Sequence, residues 1–222
     1  MNKPTGTDLL RYVKNLLAEP DSFFQERAVD NSLQWPLLVV LVTAISHTIT
    51  TPIVGAILWN TTSGAASRIA LVVYFVRVLS GFLWFFLEWF IYSIVFQTIA
   101  SMFGGQGEFR DLFYLVGWGF VPSVFAGLLV AFAIFSAIIN LPSPENLQQF
   151  SSFTRQIQLN YFVRTSRLFG EFFTLWSGFL WAFAVKNVHD INFRAAAITV
   201  AIPIAVSFVY SVYQYFFPGF GL

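Results

Sequence analysis

The segment RVLSGFLWFFLEWF, residues 77–90, is an apolar run long enough to form much of a membrane-spanning helix, and it still carries Arg77 and Glu88. The two charges are eleven residues apart. In a helix that is close to three turns, so both face the same side, about 16 Å apart along the axis. At that distance they do not pair with each other. Each charge therefore needs a partner or a task of its own.

The composition around this segment is that of a membrane protein. Hydrophobic residues make up 57% of the 222 residues and charged residues 10%, against about 25% charged in a typical soluble domain. A net charge of +1 gives no sign of a nucleic-acid partner. The absence of cysteine excludes a disulfide framework, a thiolate metal site and a cysteine nucleophile. The lipid bilayer is therefore the first partner that we predict.

The apolar stretches predict an all-α, polytopic membrane protein, since crossing a bilayer takes about 20 residues. Residues 1–34 form a cytoplasmic, amphipathic N-terminal segment in this interpretation, and residues 35–222 form a domain of five transmembrane helices. The predicted spans are 36–58, 70–100, 112–139, 168–185 and 195–216.

The basic residues predict the orientation. Seven lie on the side of the membrane that would hold the N-terminus, and four lie in the connections on the opposite side of the membrane. The N-terminus is therefore placed in the cytoplasm and the C-terminus outside, in what we expect to be a prokaryotic cytoplasmic membrane.

Two connections are predicted to hold amphipathic helices. Residues 8–18 place leucines on one face and Arg11 and Lys14 on the other, which fits a helix on the membrane surface or a helix packed on the bundle. After the third span, Ser143-Pro144-Glu145 has the order of an N-cap, a first-turn proline and an acidic first turn. Apolar residues then recur at helical spacing from Leu147, which predicts a second interfacial helix.

Small residues spaced four apart predict close helix packing within the spans. The glycines of these stripes are Gly119 and Gly127 in span three, and Gly170 and Gly178 in span four. Prolines within spans are expected to bend helices or to release backbone carbonyls. They are Pro52, Pro122 and Pro203.

The intramembrane polar residues are the candidate site. His47 is the middle residue of span one, within the polar run TAISHTITT, and it lies at the same predicted depth as Glu88. We expect these two to meet, either as a sealed, hydrogen-bonded pair or as a proton or cation site. Arg77 has two alternatives: it pairs with Glu171, which enters span four from the same side, or it extends to the interface along its own stem.

Catalytic motifs are absent from the sequence. It has no HExxH, no GxSxG and no phosphate-binding loop; GGQGEFRD (104–111) lacks the lysine and is predicted to be a flexible turn. His189 and Asp190 fall in another turn, and Asn192 is the predicted N-cap of the last span. With two histidines and no cysteine, we expect no metal site, no cofactor and no enzymatic activity.

Three motifs resemble the Yip family, the Ypt/Rab-interacting membrane proteins and their prokaryotic relatives. AEPDSFF (18–24) is similar to that family's Pro-x-x-Phe-Phe entry motif. FGGQGEFRDLF (103–113), followed by Pro122, resembles its glycine-rich turn and proline-bearing third span. LWAFAVKNVHDINFRAAAI (180–198) is similar to its last turn. The resemblance covers about residues 15 to 215 and is closest to the short prokaryotic branch.

The resemblance implies a five-helix bundle without known catalytic activity. Eukaryotic members are adaptors or shapers of Golgi and endoplasmic reticulum membranes, and some bind prenylated Rab GTPases. The Asp-Leu-Tyr-Gly-Pro segment of that branch is missing here, where the nearest stretch is DNSLQWP (30–36), so GTPase binding is not carried over. The leading hypothesis is a membrane-organising scaffold with protein partners at the cytoplasmic face, or with further copies of itself. The alternative is a small ion or solute transporter with a midplane Glu/His site.

Overall fold

The computed structural model describes residues 6–27, 33–61 and 65–217. Every regular element within these ranges is an α-helix, which confirms the all-α prediction. The helices are α1 (Gly6–Ala18), α2 (Pro20–Arg27), α3 (Gln34–Thr48), α4 (Thr50–Thr61), α5 (Ala65–Met102), α6 (Phe109–Trp118), α7 (Val121–Ile139), α8 (Leu147–Leu159), α9 (Tyr161–His189) and α10 (Phe193–Phe216).

Five helical segments are long and apolar enough to cross a membrane, as predicted. They are Gln34–Thr61, Leu71–Met102, Phe109–Ile139, Tyr161–His189 and Phe193–Phe216. The fourth begins seven residues before the predicted start at 168 and ends four after the predicted end at 185. The extra turns contain Arg164, Arg167 and Lys186, because backbone hydrogen bonding continues past the point where the side chains stop being apolar.

Two of the three span prolines coincide with helix breaks. Proline has no N–H for the carbonyl four residues before it. Pro52 leaves the carbonyl of Thr48 without that donor, and α3 ends at Thr48. Pro122 does the same to Trp118, where α6 ends. Pro203 lies inside α10, and the helix continues through it.

The predicted helix after the third span is present as α8, but its predicted N-cap is wrong. The helix begins at Leu147, and Asn146 caps it: the Gln149 N–H donates to the Asn146 Oδ1 at 2.9 Å. Asparagine is as good an N-cap as serine, and it is the residue directly before the first apolar position. Ser143 therefore lies in the connection before the helix.

The helices divide between two compact units, and each unit takes a part of every apolar segment. The first unit consists of Met1–Leu41, Phe86–Pro122 and Thr174–Val206. The second consists of Val42–Phe85, Ser123–Phe173 and Ser207–Leu222.

The two units differ in how they are packed. Among the described residues, the largest fully buried side chains all belong to the first unit; they include Trp118, Trp181, Phe24, Phe96 and Phe120. The second unit has smaller clusters, one built on Ala133, Ala137, Phe153, Ile157 and Val163 and another on Leu58 and Phe150. In α5, most side chains between Ile69 and Trp84 are exposed.

Candidate functional site

The N-terminal helix α2 is fastened to the end of α9 within the first unit. The Lys186 Nζ contacts both carboxylate oxygens of Asp21, at 2.8 and 2.7 Å. The Asn187 Nδ2 donates to the Asp21 Oδ1 at 3.0 Å and to the Phe183 carbonyl at 2.9 Å. The Lys186 ammonium, followed by the Asn187 amide, lowers the pKa of the Asp21 carboxyl below its usual value. We call this group of three residues the Asp21 clasp.

Aromatic contacts hold α1 and α2 in the same unit. The Tyr12 ring meets the Trp35 and Trp118 rings edge-on, with centroids 5.8 and 6.0 Å apart. The Phe23 ring packs on Trp118 at 5.1 Å, and the Arg27 guanidinium lies 3.9 Å from the Tyr12 ring centroid. These contacts favour the second of the two expectations for α1, a helix packed on the protein.

The glycine-rich turn before α6 is anchored, which corrects the prediction of a flexible segment. The Gly107 N–H donates to the His189 Nδ1 at 3.1 Å, and the Gln97 Nε2 donates to the Gly107 carbonyl at 2.9 Å. A Cβ at Gly105 would lie 2.7 Å from His189, and one at Gly107 would lie 2.5 Å from the backbone oxygen of Val188. Only glycine therefore fits at these two positions.

His189 was predicted to lie in a turn, but it is the last residue of α9 and is 2% exposed. Because its Nδ1 accepts a hydrogen bond, the proton of the neutral ring is on Nε2. That Nε2 is buried without a hydrogen-bond partner among the described residues. After the turn, the Ala195 N–H donates to the Asn192 Oδ1 at 2.9 Å, which confirms the predicted cap.

Two tryptophan side chains donate hydrogen bonds to backbone carbonyls of α6, close to the break between α6 and α7. The Trp181 Nε1 donates to the Val116 carbonyl, and the Trp89 Nε1 to the Phe113 carbonyl, both at 2.7 Å. Val116 lies in the last turn of α6, where carbonyls lose their helical donors, whereas Phe113 lies about one turn earlier. A Cβ at Gly119 would collide with the Trp181 indole. Gly119, one of the predicted packing glycines, thus leaves space for the Trp181 indole, which is hydrogen-bonded to the end of α6.

The other predicted packing glycines lie in contacts of different tightness. A Cβ at Gly127 would collide with Ser46 and with the His47 ring. At Gly178 it would lie 3.3 Å from Ile204, and at Gly170 it would lie 3.7 Å from the Ala126 Cβ. Gly127 therefore allows the closest approach of these three, and Gly170 has room for a methyl group.

His47 and Glu88 form the first of the two predicted pairs of intramembrane polar residues. The His47 Nε2 is 3.0 Å from the Ser123 carbonyl, to which it donates, and its ring lies 4.8 Å from that of Phe85. Glu88 is half-buried and takes part in a hydrogen-bonding or electrostatic interaction. The pairing of His47 with Glu88 stays a prediction.

At the other predicted pair, Glu171 is hydrogen-bonded to Ser211. The Arg77 side chain is exposed. Its pairing with Glu171 also stays a prediction.

Sequence reasoning missed the Asp21 clasp, the His189 contact and a further basic contact in the second unit. There the Arg164 guanidinium lies 4.9 Å from the Tyr215 ring centroid, and its Nη2 donates to the Tyr215 carbonyl. The only signal for these was polar residues at the ends of apolar stretches. Among the described residues, no three His, Cys, Asp or Glu side chains are grouped as metal ligands.

The helices and their polar fastenings define an integral membrane protein with five apolar helices. A family model described as the Yip1 domain matches residues 14–213. The chain belongs to this family, which confirms the resemblance seen in its motifs. It is also 25% identical, over 114 residues, to an uncharacterised protein of Methanocaldococcus jannaschii, covering 51% of this chain and 81% of that protein. No solved structure matches the chain.

Proposed function

We propose that the protein is a non-enzymatic membrane scaffold that presents its N-terminal helices to protein partners on the cytoplasmic side. The Asp21 clasp is the observation that carries the proposal. It joins an N-terminal helix to the end of a spanning helix through one ion pair and an amide. A segment held in this way keeps one orientation toward the membrane, which is what an adaptor surface requires.

The outward face of α1 supports the proposal. Tyr12 and Leu16 point into the unit, and Leu16 is fully buried. Leu10 is 72% exposed, next to the exposed Arg11 and Lys14. An apolar side chain bordered by basic ones suits an acidic protein surface, with the apolar contact supplying affinity and the charges orientation.

The glycine-rich turn extends this surface. Gly105 and Gly107 are fixed against the end of α9, so the exposed residues Met102 and Phe103 are carried on a backbone that is already held in place. Burying such pre-positioned groups costs little ordering entropy when a partner binds. We therefore assign partner binding to α1 together with this turn.

Site-specific photo-crosslinking in native membranes tests the proposal. A photoreactive residue replaces Lys14 in one variant and the exposed Arg155 of α8 in the matched control. We expect a discrete protein adduct from position 14 and none from position 155. Combining the position 14 probe with Asp21→Asn should weaken the adduct several-fold at an unchanged amount of folded protein. Equal adducts from both positions would contradict the assignment.

A cysteine scan tests the sealed bundle that a scaffold implies. The chain has no cysteine, so Glu88→Cys can be exposed to a charged, membrane-impermeant maleimide without background. We expect protection at 88. In separate variants, Asn2→Cys and Leu222→Cys should react from opposite sides, the first from the cytoplasm. Rapid reaction at 88 would mean that water reaches the midplane, and the scaffold proposal would fail.

A further inference from the structure

Two arginines lie in the first turns of α9, in the second unit. The Tyr215 ring and carbonyl hold Arg164 in one orientation. This leaves the Arg164 Nε buried without a hydrogen-bond partner among the described residues. A guanidinium has five N–H donors and no acceptor, so an unused Nε–H in a buried setting calls for an anion or another acceptor.

Arg167 lies three residues further on, at a spacing that brings two side chains of a helix together on its surface. Its side chain is exposed, and the part of the chain that the structure describes gives its guanidinium no partner. One turn deeper, the Glu171 carboxylate is hydrogen-bonded to Ser211, and its Oε2 is buried without a hydrogen-bond partner among the described residues, so it is not bonded to Arg167. The Arg164–Arg167 pair is therefore a basic site with N–H donors that find no acceptor among the described residues.

The length of α9 places this pair at the level of the lipid head groups. From position 167 to position 186 is a step of 19 residues, about 29 Å at a rise of 1.5 Å per residue. The hydrocarbon core of a bilayer is about 30 Å thick. Lys186 is ion-paired with Asp21, a residue outside the spans. With Lys186 at one surface of the hydrocarbon core, Arg167 reaches the opposite surface and Arg164 lies just beyond it.

The surroundings suit the acyl chains of the same ligand. Exposed aromatic side chains flank the arginines on α9, namely Phe162 at 45%, Phe169 at 61% and Phe172 at 58% exposure. A soluble anion would gain nothing from these rings, whereas a phospholipid contacts them with its tails while its phosphate meets the arginines.

We propose that Arg164 and Arg167 bind the phosphate group of a membrane phospholipid. Guanidinium groups bind phosphate oxygens with paired, charge-assisted hydrogen bonds. Tyr215 fixes Arg164 beforehand, so the bound lipid orders chiefly the Arg167 side chain. The site holds one lipid at a defined place on α9, in contrast to the lipids that exchange along the rest of the surface.

Native mass spectrometry of the full-length protein in mild detergent tests this, with phosphatidylglycerol as the probe. We expect one retained lipid on the natural protein and at least tenfold weaker retention in Arg167→Gln. Arg167 has no partner among the residues that the structure describes, so this variant should unfold at the same temperature as the natural protein. Arg164→Gln should also lose the lipid, and Arg155→Gln on α8 is the matched control that should keep it.

Three results would overturn the proposal. The first is equal weakening by Arg155→Gln, which would mean binding by overall charge. The second is equal retention of diacylglycerol, which has the tails without the phosphate. The third combines two observations. Millimolar inorganic phosphate displaces the lipid completely, and the same phosphate stabilises the natural protein but not Arg167→Gln. This result would make free phosphate the ligand.

Discussion

The two units of the molecule share the same five apolar segments but are packed in different ways. The first unit encloses the largest buried side chains of the described residues, including two tryptophans, and its glycines at 105, 107 and 119 leave no room for a methyl group. The second unit has smaller buried clusters, and much of α5 in it is exposed. Long apolar helices thus do not by themselves produce a tightly packed interior. Close-fitting aromatic and glycine pairs do, and most of the tight glycines lie in the unit that contains the N-terminal helices, with Gly127 as the exception in the second unit.

The largest expected effect comes from emptying the interior of the first unit. Phe96 is fully buried there, so Phe96→Ala should destabilise the protein by roughly 3–5 kcal/mol through the cavity that it leaves. In the second unit, Phe132 is 64% exposed, and Phe132→Ala should cost under about 0.5 kcal/mol. Thermal unfolding in detergent, followed by tryptophan fluorescence, measures both. Equal losses would abolish the distinction between the units.

A pair of glycines gives the next test. Gly119→Ala forces a methyl group against the Trp181 indole, which is fixed by its bond to the Val116 carbonyl, and should cost about 1–3 kcal/mol. Gly170→Ala finds the Ala126 Cβ 3.7 Å away and should be neutral or slightly stabilising. The same unfolding assay compares the two. Tolerance of both substitutions would show that the Trp181 contact adapts.

The anchored turn gives a third test. His189→Leu removes the acceptor of the Gly107 N–H and leaves that half-buried amide without this partner, which should cost up to about 1 kcal/mol. Amide hydrogen exchange in the segment 104–108 should become faster, while exchange in α8 stays unchanged. Unaltered exchange in the turn would mean that the glycine contacts hold it without the histidine.

The Asp21 clasp should have the smallest effect, because its two charged side chains are 32% and 49% exposed. Asp21→Asn should cost under about 1 kcal/mol at neutral pH. The folded protein lowers the pKa of Asp21, so its stabilisation is present above the usual value of 3.8 and is lost as the pH falls below it. The unfolding temperatures of the natural protein and the variant should therefore converge in acid.

Glu26→Gln, an exposed carboxylate on the same helix, is the control for the clasp. It should leave the unfolding temperature nearly unchanged at neutral pH. A difference between Asp21→Asn and the natural protein that persists below pH 3 would show that the loss at neutral pH has a cause other than the ion pair.

The sequence predicted the helices well, since length and hydropathy report directly on what a bilayer accepts. Five spans, an amphipathic α1 and the α8 helix followed from apolar spacing, and the Asn192 cap followed from its position before an apolar run. The start of α8 was misplaced because two cap residues, Ser143 and Asn146, compete within four positions. Local patterns do not show which of them reaches a backbone amide.

The candidate site was less predictable, because its contacts join residues far apart in the chain. Asp21 and Lys186 are 165 positions apart, and Gly107 and His189 are 82 apart. In the sequence, Lys186 and His189 are polar residues near the end of an apolar stretch, Asp21 lies before the first span, and Gly107 is one glycine of a turn. Arg164 and Tyr215 are likewise distant, 51 positions apart.

The amino-acid pattern was enough to predict an all-α membrane protein of five apolar helices, and its motifs pointed to the right family. The reason is that the bilayer acts on each segment separately: every helix satisfies its own backbone and is recognised by its own composition. Which polar side chains are paired with each other became visible only in the folded protein. A hydrogen bond or an ion pair depends on the distance between two side chains, and that distance is set by the packing of whole helices.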